Sequence, residues 1–155
     1  MQYILIVLLF LFSCESTYYS TFEKVRGNKA RGEVTVTINS EDTILKWDSN
    51  IQGLSDITAM HIHCKPSDAV GVTLRPSLVK GQVLNYANSL GIATEPDWGN
   101  KCGWKNIADV RAAIKKEQAY VNVHTSSAPA GALQATLLRP IATKSFLERL
   151  DEIRH

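Results

Sequence analysis

The 155-residue chain has no apolar run long enough to span a membrane and no basic tract. A transmembrane helix needs about 20 apolar residues, whereas the longest unbroken run is the short segment Tyr3–Phe12. The formal net charge is only +2, and Lys115 and Lys116 are the only adjacent pair of basic residues. These absences argue against a membrane-spanning mature protein and against a nucleic-acid-binding protein.

The apolar run lies at the N terminus, where it is typical of the central part of a secretory signal. Small residues at Cys14 and Ser16 predict cleavage after Ser16, so that residues 1–16 form a signal peptide and the mature chain is secreted. A buried N-terminal strand is the alternative, because no basic residue precedes the run. The segment Leu11-Phe12-Ser13-Cys14 loosely resembles a lipobox, which leaves a lipid anchor through Cys14 as another possibility.

Cysteine is scarce, and removal of the signal peptide leaves only Cys64 and Cys102. An even number of cysteines in an oxidising compartment predicts a disulfide between them. The alternative is that both thiolates join nearby histidines around a metal ion. Because Cys64 follows His63 directly, its side chain is expected on the opposite face of the same strand.

Short segments with alternating apolar and polar residues predict a mostly β chain. We expect strands over residues 18–25, 34–38, 44–47, 57–63, 70–74, 78–84, 119–124 and 132–138. Seven or eight short strands favour a two-sheet sandwich or a barrel. Asn106 is a suitable N-cap for a short helix, because Ile107, Val110 and Ile114 share one helical face.

The C-terminal tail, residues 141–155, predicts a second helix with an apolar stripe. The stripe consists of Phe146, Leu147, Leu150 and Ile153. Such a helix would pack on the sandwich, bind a partner or lie on a membrane surface.

The histidines lie in two of the predicted strands. Side chains alternate between the faces of a strand, so His61 and His63 share one face, as do Tyr120, Asn122 and His124. Three imidazole nitrogens suit copper or zinc, and Tyr120 and Asn122 on the same face are expected to orient the ligating rings. The alternative is a packing role, in which the imidazoles hydrogen-bond to each other and to backbone carbonyls.

Three segments together resemble the chordin-type (CHRD) domain. They are the run from Gly53 that ends in His61-Ile62-His63, the helical segment 108–116, and Tyr120-Val121-Asn122-Val123-His124-Thr125. The resemblance covers roughly residues 18–138. The chain departs from the family pattern after Gly131, where Ala132 and Gln134 replace the family's Glu and Arg.

The resemblance implies an all-β fold: a Greek-key or immunoglobulin-like β-sandwich over residues 17–140, with a short helical insertion. The family is distantly similar to the barrel of copper-zinc superoxide dismutases, but the bridging histidine of those enzymes has no counterpart here. The resemblance implies a secreted, non-enzymatic binding module with an extracellular protein ligand. The alternative function is metal binding through His61, His63 and His124, whereas a hydrolase using Ser126 or Ser127 lacks a recognisable nucleophile motif.

Overall fold

The structure of this protein, a computed structural model, describes residues 15–24, 30–54, 56–75 and 88–138. The predicted strand 78–84, the predicted C-terminal helix 141–155 and residues 1–14 of the predicted signal peptide lie outside these residues. Ser16, after which cleavage was predicted, is the first residue of the first strand.

The described chain forms nine strands and one helix. In chain order they are β1 (Ser16–Thr21), β2 (Glu23–Lys24), β3 (Arg31–Ile38), β4 (Leu45–Gln52), β5 (Ile57–Cys64), β6 (Ala69–Arg75), β7 (Asn88–Ala93), α1 (Ile107–Lys115), β8 (Ala119–Thr125) and β9 (Leu133–Thr136). The first sheet has the order β1-β3-β4-β7, and the second has the order β2-β9-β8-β5-β6. All neighbouring strands are antiparallel, which confirms the predicted all-β sandwich.

The core lies between the two sheets and is built from the apolar residues that alternate along each strand. Val34, Val36 and Ile38 of β3 are fully buried, as are Ile62 of β5 and Val121 of β8. Residues i and i+2 of a strand lie on the same face, so the same alternation leaves the opposite face of each sheet for polar side chains.

The turn between β3 and β4 is determined by Asn39. Its Oδ1 accepts hydrogen bonds from the backbone N–H groups of Thr43 and Ile44 at 2.9 and 2.8 Å. Asp42 has a positive φ of 57°, a conformation that Asp and Asn tolerate better than most residues. The predicted strands 34–38 and 44–47 therefore form a hairpin, and the side chain of Asn39 closes its turn.

The predicted helix is confirmed as α1, which lies in the connection between β7 and β8. Asn106 accepts a hydrogen bond from the backbone N–H of Asp109 at 3.0 Å, as an N-cap does. Arg111 anchors the helix to the first sheet, because its guanidinium donates to Ser16 Oγ and to the carbonyls of Ile38 and Asn39. The segment that precedes the helix lies over the second sheet, where it contributes to the candidate site.

Candidate metal site

The pairing of β5 with β8 brings the three histidines together. His61 lies opposite Asn122, His63 opposite Tyr120, and Ala59 opposite His124. The side chains of these residues lie on the outer face of the second sheet, and the small Ala59 leaves room beside His124. One ring nitrogen from each of His61, His63 and His124 lies within 4.8 Å of the other two. The ring centroids are 5.0 to 5.7 Å apart.

Backbone carbonyls determine which nitrogen of two rings carries the proton. Nδ1 of His63 lies 2.7 Å from the carbonyl oxygen of Asp68, and Nδ1 of His124 lies 2.8 Å from that of Pro129. A carbonyl oxygen only accepts, so each Nδ1 is the donor. In the neutral ring this leaves a lone pair on Nε2.

One nitrogen of each of the three rings has no hydrogen-bond partner. Nε2 of His63, Nε2 of His124 and Nδ1 of His61 are all buried and unpaired. An unpaired buried acceptor costs roughly 1–3 kcal/mol. A cation between the three rings would be a common partner for one nitrogen of each.

Burial favours the neutral form of His61 and of His63. Desolvation is the main cause that lowers the pKa of His61 to about 4, and the charges of protonated His124 and His63 lower it further, while the Asp97 carboxylate opposes them. Burial also lowers the pKa of His63, against the hydrogen bond to the Asp68 carbonyl. Neutral imidazole is the form that binds metal ions, so His61 and His63 are ready to act as ligands at neutral pH.

Tyr120 supports His63 through stacking. Its ring centroid lies 5.2 Å from that of His63 with an interplanar angle of 30°. Its hydroxyl donates to Asp68 Oδ1 at 3.2 Å. Burial and the Asp68 carboxylate raise the pKa of Tyr120 to about 12, so the phenol stays protonated. Tyr120 therefore positions both His63 and the residue whose carbonyl fixes the His63 tautomer.

Asn122 holds a loop and is not hydrogen-bonded to a histidine. Its side chain is 2 % exposed, and Nδ2 donates to the carbonyl of Ala130 at 3.3 Å. A Cβ at Gly131, where φ is +128°, would overlap the Asn122 amide. The amide thus fixes the loop that carries the Pro129 carbonyl, which supports His124 indirectly.

Ser126 and Ser127 do not form a catalytic arrangement with His124. The Ser127 hydroxyl bonds to Asp56 Oδ2 at 3.4 Å and to Thr125 Oγ1 at 3.2 Å, while Nδ1 of His124 is bonded to Pro129. These hydrogen bonds close a turn after β8.

The two cysteines lie at disulfide distance beside the site. The sulfurs of Cys64 and Cys102 are 2.09 Å apart and the Cα atoms 5.7 Å apart, which matches the predicted pairing. Since each sulfur is bonded to the other, the alternative in which thiolates join the histidines does not apply to this structure. The bridge pins the segment before α1 to the end of β5.

Sequence reasoning missed Asp97, whose carboxylate raises the pKa of His61 against the effect of burial. It accepts hydrogen bonds from Thr73, which lies opposite His61 on β6. No local pattern signals this residue, because its place depends on how the segment before α1 folds back. The carbonyls of Asp68 and Pro129 were also missed, because every residue has a backbone carbonyl and the residue type does not reveal which one accepts a hydrogen bond.

Comparison with known proteins identifies the family. The chain shows no significant match to a curated protein or to a solved structure. Within the described ranges, no helix combines the length and the apolar character needed to cross a bilayer. The CHRD domain model matches residues 19–137, a span that contains both histidine segments and covers more than half of the chain. The chain therefore belongs to the CHRD domain family.

Proposed function

We propose that this protein is a secreted, non-enzymatic CHRD module that holds one copper or zinc ion between His61, His63 and His124. Two observations carry the proposal: one ring nitrogen of each histidine lies within 4.8 Å of those of the other two, and each ring has one buried nitrogen without a hydrogen-bond partner. Three nitrogen ligands leave a coordination position open, and the affinity order of first-row divalent ions favours Cu(II).

The spacing suits an ion after a small adjustment. Two nitrogens bound tetrahedrally at 2.0–2.1 Å lie roughly 3.3 Å apart, so modest ring rotations close the set. The hydrogen bonds at Nδ1 of His63 and His124 keep these two rings oriented, as outer-shell acceptors do in metalloproteins.

A packing role alone explains the cluster less well. Buried polar atoms that only specify packing are normally hydrogen-bonded. Here each of the three rings has a buried nitrogen without a hydrogen-bond partner, and no hydrogen bond within the cluster offsets the cost of burying it. A bound cation would satisfy all three nitrogens at once.

Two observations support secretion. The apolar segment Tyr3–Phe12 resembles the central part of a signal peptide. The pair Cys64 and Cys102 lies at disulfide distance, and stable disulfides are typical of oxidising, extracellular compartments. Attachment through a lipid at Cys14 is the alternative, and an extracellular protein ligand remains a prediction from the family resemblance.

The test is calorimetric titration of tag-free, metal-stripped protein with Cu(II) and Zn(II) at neutral pH. We expect saturable 1:1 binding in the wild type and its loss in the double variant His61→Gln/His124→Gln. The matched control is His155→Gln, which changes the fourth histidine of the sequence and leaves His61, His63 and His124 intact. The proposal is wrong if the wild type shows no saturable binding, or if the double variant binds as the wild type does.

A further inference from the structure

The segment between β7 and α1, residues 94–105, lies across the second sheet, and we call it the strap. The backbone N–H of Asp97 donates to the carbonyl of Gly71 at 2.9 Å. Farther along, Cys102 is joined to Cys64. The Trp104 ring packs so closely on Gly71 that a Cβ there would overlap it. The strap is therefore attached to β5 and β6 at three points.

The strap is also braced internally. The amide of Asn100 donates to the carbonyls of Asp97 and Trp104, each at 2.8 Å, and accepts from the backbone N–H of Trp104 at 3.1 Å. The side chain of Asn100 thus fixes the distance between the residue that reaches the histidine face and the residue that packs on Gly71.

The strap delivers one carboxylate to the histidine face. Oδ1 of Asp97 accepts from the backbone N–H of Thr73 at 2.9 Å, and Oδ2 accepts from its hydroxyl at 2.6 Å. Thr73 lies directly opposite His61 in the ladder between β5 and β6, and side chains opposite each other share a face about 5 Å apart. The Asp97 carboxylate is thereby held on the β6 side of His61.

We propose that Asp97 is the counter-charge of the metal site. Its carboxylate lowers the free energy of the bound cation without coordinating it. This inference rests on the proposed function. Three neutral imidazoles leave the full charge of a divalent ion in a partly buried place, where its interaction with a carboxylate is stronger than in water. Thr73 donates to both oxygens of Asp97, which fixes the position of the carboxylate.

Holding the strap in place does not require this carboxylate. The disulfide, the Trp104 contact and the backbone hydrogen bond from Asp97 to Gly71 all persist when the side-chain charge is removed. The effect of the side-chain charge on a bound ion is therefore separable by experiment from the attachment of the strap.

The experiment compares the dissociation constants of Zn(II) and Cu(I) for the wild type and for Asp97→Asn, by competition with chromogenic chelators. Coulomb energy is proportional to the charge of the ion, so removal of the carboxylate costs a divalent ion twice the binding energy that it costs a monovalent ion. The fold-change in the dissociation constant of the divalent ion is therefore the square of that of the monovalent ion. We expect Asp97→Asn to weaken Zn(II) binding about tenfold and Cu(I) binding about threefold. Asp97→Glu, which keeps the charge, should stay within about threefold of the wild type for both ions.

The matched control is Asp48→Asn, which removes the same charge from an exposed position on β4 in the other sheet. It should leave both affinities unchanged. Equal losses for Zn(II) and Cu(I) in Asp97→Asn, no loss, or the same loss in Asp48→Asn would overturn this inference alone. Absence of saturable binding in the wild type would overturn the metal site itself and this inference with it.

Discussion

Replacing Gly71 with alanine tests whether the strap is packed as tightly as its contacts indicate. The added Cβ would overlap two carbon atoms of the Trp104 ring and would lie 3.1 Å from the sulfur of Cys102. Neither neighbour is the free end of a flexible side chain, so the strap must shift away from β6. Overpacking of this kind typically costs about 1–3 kcal/mol of the free energy of unfolding.

Gly91→Ala is the matched control because it produces the same clash on the other sheet. A Cβ at Gly91 would overlap the ring of Trp47 on β4. We expect a similar destabilisation of about 1–3 kcal/mol. Only Gly71→Ala moves the strap and Asp97 with it, so only Gly71→Ala should also weaken Zn(II) binding.

Urea unfolding followed by tryptophan fluorescence measures the stability of both variants without metal, and chelator competition measures their Zn(II) affinity. For a domain of this size the destabilisation corresponds to a fall in Tm of about 3–10 °C. A Gly71→Ala protein within about 0.5 kcal/mol of the wild type would refute the packing argument. Equal losses of Zn(II) affinity in both variants would show that the effect is general destabilisation and does not come from the strap.

Three further outcomes are expected. The pKa of His61 falls from 6.5 in the unfolded chain to about 4 in the fold. The metal-free protein should therefore lose about 1–2 kcal/mol of stability, after allowance for solvent screening, as pH falls from 6.5 to 4; urea titrations should show this slope, and His61→Gln should flatten it. Peptide mapping without reductant should recover Cys64 linked to Cys102, and reduction should cost about 4 kcal/mol for a loop of 38 residues; free thiols at both positions in freshly secreted protein would contradict the bridge. The intact mass of secreted protein should show a mature chain that begins near residue 17, as the predicted cleavage after Ser16 requires. A chain that still begins at residue 1 would contradict secretion through a cleaved signal.

Most strands were predictable because their own residues carry the pattern. The alternation of β-branched residues in β3 marks one buried face, and β5 and β8 show the same alternation around their histidines. β7 was missed because its sequence, Asn88–Ala93, contains Gly91 and exposes Leu90 and Ile92. Its strand conformation follows from pairing with β4, where a glycine gives room for the Trp47 ring.

The site was predictable in part. Period-two spacing places His61 and His63 on one face, and the order of the two motifs suggested that His124 joins them; the structure brings the three together. The expected role of Asn122 as a partner of the histidines differs from its observed bond to the carbonyl of Ala130. Side-chain direction alone predicts which residues share a face, whereas the partner of each amide depends on the loops that cover that face.

The site divides into a part encoded locally and a part that only the tertiary fold supplies. Each carbonyl that fixes a tautomer lies five residues after its own histidine, Asp68 after His63 and Pro129 after His124. Each strand and the turn that follows it therefore specify one oriented nitrogen. The meeting of those nitrogens requires the β5–β8 ladder, and the counter-charge of Asp97 requires the strap that the disulfide holds. Since the rings of His63 and His124 are oriented before any ion binds, little ordering remains to oppose binding. Reduction of the disulfide should consequently act on metal affinity through the strap alone and should leave both tautomer-fixing hydrogen bonds in place.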